Sequence, residues 1–354
     1  MTSAPSPLTI VHVVFSSRVA GGERHCLDLA EAQAALGHKV HVVGPRRSAL
    51  AGAVAPGVRY HGLALPLLRG WRLRRVVRRL GAQVCHAHLG PACKATATLG
   101  PEVARVGTLH VGYKEHHHAK LDGVICVNQA QRQRLSAYRG RHRVVYNWAP
   151  EPTQASQASG PGLRQELGLR PEQLLVGSVG RLHPAKGFDL LMLAFSAQAP
   201  ADAVLAILGE GKQREELEPL AAADPRIRLL GFRTDVDAAL RSLDLFVSAS
   251  REEAFPLAIL EAMRAGVPVI STQTQGPTEM LDQQPATLVP IEDVEALGRA
   301  IREQLERIRA VPREQRRPVA YELSRYDRRQ SVAQILDFYR ELIDLTNGGS
   351  SHHV

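Results

Sequence analysis

The sequence predicts an α/β protein of two Rossmann-like, doubly wound domains, and three observations carry that prediction. Short apolar runs alternate with helix-period segments along the chain, the pattern of parallel strands joined by helical crossovers. The series runs twice, and EPTQASQASGPG, rich in Pro, Ser, Gln and Gly, separates the two runs. A chain of 354 residues has room for two domains of about 150 each. The expected division is a first domain over 1–150, a linker over 151–165 and a second domain over 166–322. A C-terminal helix over 323–346 and a disordered tail over 347–354 complete it.

Composition narrows the function classes. With 44% hydrophobic and 22% charged residues the chain reads as an ordinary soluble protein. No apolar run approaches the roughly 20 residues that span a bilayer. The start, MTSAPSPLTI, lacks the basic region and apolar core of a secretory signal. Cys26, Cys85, Cys93 and Cys126 have no paired-motif spacing and read as reduced thiols of a cytosolic protein. The net charge of +9 points to an anionic partner. Without a nucleic-acid fold signature, nucleic acid is set aside for an anionic membrane or a phosphorylated substrate.

In the first half, Leu8–Phe15 is a strand, followed by SSRVAGGERH and a helix with Cys26, Leu29, Ala30 and Leu36 on one side. Gly37 ends the helix and Val40–Val43 is the next strand. Gly21 and Gly22 lie in the connecting loop without the G-x-G-x-x-G of a dinucleotide site; glycines there let a ligand approach the backbone. Arg69–Leu80 (RGWRLRRVVRRL) is the most basic segment. Its apolar residues form either a core-facing stripe or one side of a cationic amphipathic face for anionic lipid. Further strands are expected at Gln83–His88, Val106–Leu109, Gly123–Val127 and Arg143–Tyr146, with His86, His88, His110, Asn128 and Asn147 at their carboxyl ends.

The histidines and cysteines of this half do not make a metal site by spacing. Adjacent strand residues face opposite ways, so Cys85 and His86 do not share an ion, and no C-x2-C or H-E-x-x-H run occurs. His116–His118 are expected in a mobile loop.

The second half opens with the strand Leu174–Val179 and the turn GRLHPAKGF. Arg181 and Lys186, two cations beside a strand's carboxyl end, suit a pyrophosphate. Val204–Leu208 ends in Gly209-Glu210-Gly211, and Ile227–Leu230 ends in GFRTDVDAAL, where Asp235 and Asp237 are expected to cap a helix. Leu245–Ser248 is a buried strand; a helix follows through Leu257, Leu260 and Met263, with Pro256 in its first turn and Gly266 as its left-handed stop. Val267–Ser271 is the next strand. Glu253 and Glu261 bracket the helix start, where the N–H groups of Leu257 and Ala258 favour an anion. Two acids and an anion site can hold a nucleotide sugar by three parts.

The stretch EEAFPLAILEAMRAGVPVIST resembles the E-x7-E signature region of retaining glycosyltransferases with the GT-B fold, glycosyl transferases group 1 or family 4. The resemblance covers nearly the whole chain. It implies two Rossmann-like domains facing across a cleft, a nucleotide-diphosphate sugar (a UDP-sugar) as donor, a glycan acceptor, no cofactor and no metal. G-R-x4-K-G resembles the family's diphosphate loop, so Arg181 and Lys186 inherit the leaving group. Glu253 inherits the sugar hydroxyls, Glu261 the ribose, and His110 in GTLHVGY a place beside the donor sugar.

The resemblance further implies donor contacts at Gly22, Gly209, Gly231, Phe232, Pro256, Leu257 and Ala258. Gly21, Glu23 and Arg24 in GGER are implied on the acceptor side. YNWAP resembles the family's domain junction, and VNQAQRQRL its segment after the fifth strand. Val332–Ile343 resembles the last helix, which returns to the first domain. Thr272, Gly276 and Glu279 resemble the loop closing the donor pocket, in a Gly-Pro-x-Glu form similar to that of lipopolysaccharide transferases.

The expected function is therefore hexosyl transfer with retention to a lipopolysaccharide core, at the cytoplasmic face of a bacterial inner membrane. Arg69–Leu80 is the candidate contact with that membrane. A UDP-sugar 2-epimerase of the same fold and a non-catalytic sugar-nucleotide or glycan-binding module are the other readings.

Overall fold

The computed structural model describes residues 6–17, 19, 21–64, 68–149 and 162–348. Most of the expected linker, and residues 349–354 of the expected tail, lie outside the described residues. The chain forms two compact units: Met1–Trp148 with Tyr326–Val354, and Ala149–Arg325.

The first unit is built on a seven-stranded parallel sheet. Its strands are β1 (Thr9–Val14), β2 (Lys39–Pro45), β3 (Val58–Leu63), β4 (Val84–His88), β5 (Ala104–Thr108), β6 (Gly123–Cys126) and β7 (Arg141–Val144). Their order is β3-β2-β1-β4-β5-β6-β7. The direction of winding reverses between β1 and β4, where Val11 pairs with Cys85 and His12 with His86. In such sheets ligands gather beyond the carboxyl ends of the strands at the reversal.

β3, the sequence VRYHGL, lies at the sheet edge and lacks the apolar run that marks its neighbours. All four cysteines are buried, and burial pushes the thiols of Cys85, Cys93 and Cys126 up to about 12. The terminal helix, Arg328–Gly348, belongs to this unit: Val332, Ile335, Leu336, Phe338, Tyr339 and Leu342 share a buried cluster with Ile10, Val84, Val106 and Ile125.

The second unit carries six parallel strands: β8 (Leu174–Val179), β9 (Ala203–Leu208), β10 (Ile227–Gly231), β11 (Leu245–Ser248), β12 (Val269–Thr272) and β13 (Thr287–Val289). Their order, β10-β9-β8-β11-β12-β13, reverses between β8 and β11. β8, β9 and β11 are almost wholly buried, which explains their uncharged, mostly apolar sequences. At the foot of β11, Asp244 is a buried hub. Its Oδ2 accepts from Leu175 N–H and Arg164 Nη1, each at 2.8 Å. Its Oδ1 accepts from Arg313 and Arg316 at 2.9 and 2.8 Å.

Three local expectations need correction. Pro256 is the N-cap just outside the helix Leu257–Arg264, with extended backbone, and not part of its first turn. Asp235 makes no side-chain cap; Asp235 pairs with Arg233, and Asp237 with Arg241 and Arg264, because guanidinium groups within reach outbid the helix N–H groups. His116–His118 do not form a loop: Glu115–His118 is a short helix, with His118 buried and its Nδ1 2.9 Å from both Lys114 N and Lys114 O.

Candidate active site

In the second unit, the carboxyl ends of β8 and β11 bring together residues separated by 67 positions. The turn after β8, Pro184–Lys186, is followed by Gly187, which opens the helix Phe188–Gln198. Gly187 has φ +62°, and a Cβ there would lie 2.0 Å from the Ala249 carbonyl oxygen, so only glycine lets the two loops close up. Arg251 and Glu252 donate their backbone N–H groups to Ala185 O at 2.8 and 3.3 Å. The Arg251 guanidinium grips both oxygens of Asp189 at 2.9 and 2.7 Å and reaches Glu292 at 2.9 Å. Hydrogen bonding to Arg251 holds the Asp189 carboxyl below its ordinary range. This strut went unnoticed in the sequence because its partners lie 62 and 41 residues from Arg251.

The loops so joined place the Lys186 ammonium against the Glu253 carboxylate as an ion pair. Arg181 is exposed and takes no carboxylate partner among the described residues. Lys186 and Glu253 stand at the reversal of the sheet, beside the start of the helix Leu257–Arg264, which has no side-chain cap. Leu257 and Ala258 are half-buried at its first positions, and Glu261 is buried one turn on.

The neighbouring strand ends complete this rim. Gly209 has φ +149°, and a Cβ on it would lie 1.8 Å from Gly180 O, so the turns after β8 and β9 touch backbone to backbone. Gly209 N–H donates to Gly231 O at 2.8 Å, joining the end of β10, where Phe232 stands 66% exposed. From β12, the Thr272 hydroxyl donates to Ser250 O at 2.6 Å, and Gly276 N–H donates to Glu253 O at 3.0 Å. Among the described residues the rim therefore offers the exposed Arg181, the Lys186–Glu253 pair, a helix start without a side-chain cap and an exposed aromatic ring. That combination suits an anionic, ring-bearing ligand.

The first unit has a rim of its own at its reversal point. Gly21 and Gly22 are the first residues of the helix Gly21–Ala35 and not a loop before it. A Cβ on Gly22 would meet Leu89 at 3.4 Å and the His110 ring at 3.5 Å, ordinary contact distances, and one on Gly21 would meet nothing within 4 Å. Glu23 turns inward and is buried, while Arg24 is exposed. Gln131 ties the ends of β5 and β6, its Nε2 donating to Leu109 O at 2.7 Å and its Oε1 accepting from Val127 N–H at 2.9 Å.

Behind this rim lies a histidine cluster that sequence reasoning only half found. His86 and His88, two apart on β4, face the same side and meet His12 of β1. Cys85 faces the opposite way and meets Thr96. Burial lowers the pKa of His12 to about 4 and of His110 to about 4. Burial is also the first cause holding His25, His86 and His88 well below the ordinary value. His12, His86 and His88 are the group among the described residues close enough for one metal ion. Their nitrogens are already engaged: His86 with Tyr339 and Thr108, and His12 with His88 and Gln33. A histidine in the middle of the apolar run TIVHVV was the available signal for His12.

Comparison with known proteins follows the same two halves. Residues 19–150 match the model of "Glycosyltransferase Family 4", and residues 173–307 that of "Glycosyl transferases group 1". The chain is a glycosyltransferase of the GT-B fold. The GT-B chain is 27% identical over 311 residues to the lipopolysaccharide core biosynthesis mannosyltransferase LpsB of Rhizobium meliloti, covering 80% of this chain and 83% of that one. It is 28% identical over 322 residues to a phosphatidyl-myo-inositol mannosyltransferase of Mycolicibacterium smegmatis, covering 81% and 82%. Among solved structures it is similar to Anabaena Alr3699/HepE in complex with UDP and glucose, with a TM-score of 0.77, 20% identity and coverage of 94% and 100%. It is also similar to WaaG, a glycosyltransferase involved in lipopolysaccharide biosynthesis, with a TM-score of 0.66, 16% identity and coverage of 96% and 100%. Among the described residues no helix is long and apolar enough to cross a membrane.

Proposed function

We propose that this glycosyltransferase moves a hexose from a UDP-sugar to a hydroxyl of a lipopolysaccharide core glycan, with retention at the anomeric carbon. The observation that carries this reading is the Lys186–Glu253 pair beside the exposed Arg181 at the β8/β11 reversal. A cation paired to a carboxylate, next to one that is free, suits a donor with a diphosphate and a hydroxyl-bearing sugar. In the reaction the bond from the anomeric carbon to the diphosphate oxygen breaks, and its electrons leave with the diphosphate. The acceptor oxygen bonds to the same face of that carbon, and its proton passes to the departing diphosphate.

Arg181, Lys186 and the N–H groups of Leu257 and Ala258 stabilise the charge that develops on the leaving group, so the protein supplies the neutralising charge without a metal. Glu253 takes sugar hydroxyls and Glu261 the ribose. Gly209, Gly231 and Phe232 border the nucleotide. His110 and Gly22 take the donor sugar, and Gly21, Glu23 and Arg24 the acceptor. The enzyme works on the cytoplasmic face of the inner membrane, resting on the helix Arg69–Leu80. This part of the reading is supported by the exposure of Trp71, Arg75, Arg78 and Arg79 opposite the buried Leu73 and Val77.

A GDP-mannose donor is the second reading, favoured by a 29% identical GDP-mannose-dependent alpha-mannosyltransferase of Mycobacterium tuberculosis, matched over 66% of this chain and 60% of that one. The test incubates the protein with UDP-glucose, UDP-galactose or GDP-mannose, with and without delipidated lipopolysaccharide core. A new glycosidic product of unchanged anomeric configuration, formed from a UDP-sugar only with acceptor, is expected. An inverted product would remove the retaining mechanism. Conversion of the sugar without acceptor would make the protein an epimerase, and no turnover would make it a binding module.

A further inference from the structure

The buried histidines form a directed chain of hydrogen bonds. Gln33 Oε1 lies 2.8 Å from His12 Nε2, His12 Nδ1 lies 3.1 Å from His88 Nε2, and His88 Nδ1 lies 3.0 Å from His110 Nε2. Gln33, His12 and His88 are fully buried, whereas His110 reaches the rim beside Gly22. Its Nδ1 takes no hydrogen-bond partner among the described residues, and the residue is only partly buried.

We infer that Gln33 is a positioning residue which, acting through His12 and His88, fixes the tautomer of His110 so that its bare Nδ1 accepts a hydrogen bond from a substrate hydroxyl. An amide oxygen can only accept, so His12 carries its proton on Nε2. A neutral imidazole has one proton, so His12 Nδ1 must accept, and His88 donates to it from Nε2. His88 Nδ1 must then accept in turn, and His110 donates from Nε2. What remains at the rim is a lone pair on His110 Nδ1. The chain transmits direction because every member is neutral, and burial keeps it so.

A second branch from the same amide agrees with this orientation. Gln33 Nε2 can only donate and lies 3.4 Å from the Tyr339 hydroxyl. Tyr339 then donates its O–H to His86 Nδ1 at 2.5 Å, and His86 Nε2–H donates to Thr108 Oγ1 at 2.7 Å. This amide orientation satisfies both branches, and the terminal helix that brings Tyr339 holds the amide at which the histidine chain starts. A metal ion held by His12, His86 and His88 would have to replace the His12–His88 hydrogen bond, so the two arrangements exclude each other.

This inference rests on the reading of His110 as the sugar-facing histidine only for its use; the tautomer itself is testable without sugar. The experiment is the two-bond 1H–15N ring spectrum of the full chain carrying 15N-histidine, at neutral pH, with His110 assigned through His110→Asn. A protonated Nε2 and a bare Nδ1 are expected for His110. In Gln33→Met the spectrum should move to mixed tautomers, while turnover falls about tenfold, the loss of one net hydrogen bond, and the donor KM stays nearly constant. If Gln33→Met does not fold, Gln33→Asn serves, since its amide stops one methylene short of His12.

A wild-type His110 with its proton on Nδ1, or an unchanged tautomer in the Gln33 variant, would overturn the inference. One equivalent of zinc retained by the purified protein, with metal-shifted His12 and His88 nitrogens, would also overturn it. A protein that fails to transfer sugar yet has the expected spectrum would remove the proposed function and leave the tautomer assignment standing.

Discussion

Lys186→Ala separates chemistry from folding at this site. The Lys186 and Glu253 side chains are 27% and 15% exposed, so their ion pair is partly screened, and its loss should cost no more than about 1 kcal/mol of stability. Arg251 holds the same two loops together through Asp189, Glu292 and Ala185 O, and none of those contacts needs the lysine. The effect on the reaction should be much larger. If Lys186 stabilises charge on the leaving diphosphate, turnover should fall ~10²–10³-fold, or about 2.7–4 kcal/mol in the barrier. The assay is steady-state transfer from the preferred donor, run beside urea unfolding of the same preparation. A fall in kcat with an unfolding midpoint close to wild type is expected. Near-normal turnover would remove Lys186 from the mechanism. A loss of turnover matched by loss of fold would mean that the ion pair is structural and that the reasoning from the sheet reversal fails.

Other perturbations test other parts of the structure. Asp244→Ala strands Arg164, Arg313 and Arg316 around an empty position, and should destabilise the second unit by about 3–5 kcal/mol in urea unfolding. Acid should weaken the protein early. Because the folded pKa of His12 is about 4 against 6.5 unfolded, its share of stability is complete above pH 6.5 and is lost as pH falls towards 4, at about 1.4 kcal/mol per pH unit. His86, His88 and His110 shift the same way, so unfolding midpoints between pH 7 and pH 4.5 should drop steeply, and a flat profile would contradict their neutral burial. Trp71→Ser with Arg75→Glu, Arg78→Glu and Arg79→Glu should abolish flotation with anionic liposomes while leaving transfer to a soluble acceptor intact, because these side chains are exposed. Normal flotation would reduce the helix Arg69–Leu80 to a core-packing element.

Much of this arrangement could be read from residues in sequence. β8 and β11 carry no charged residue and a single serine each because both faces are covered, so their bounds were legible as composition. Arg181, Lys186, Glu253 and Glu261 lie in two short stretches whose order along the chain already implied an anion site. What composition does not carry is the contact between the stretches: Lys186 meets Glu253 only because the sheet winds back between β8 and β11. The histidine chain is less legible still. It needs the His12–His86 register, a glutamine from the first helix and a tyrosine from the last, 306 residues apart. Residues such as Val58–Leu63 escaped for the opposite reason, since an edge strand mixes polar and apolar side chains.

The membership of the terminal helix in the first unit has a consequence for synthesis. The apolar cluster of Ile10, Val84, Val106 and Ile125 is completed by Val332, Phe338 and Tyr339. Those residues leave the ribosome roughly 180 positions after Trp148, a delay of about 10–40 s at ordinary elongation rates. Throughout that interval the nascent first unit has a bare hydrophobic face, while the second unit is translated as one continuous segment. Order of emergence therefore favours the later unit as the earlier one to finish folding, and makes chaperone capture of the waiting face the natural safeguard. Stop codons that remove only the last turns of the chain would then harm the opposite end of the protein.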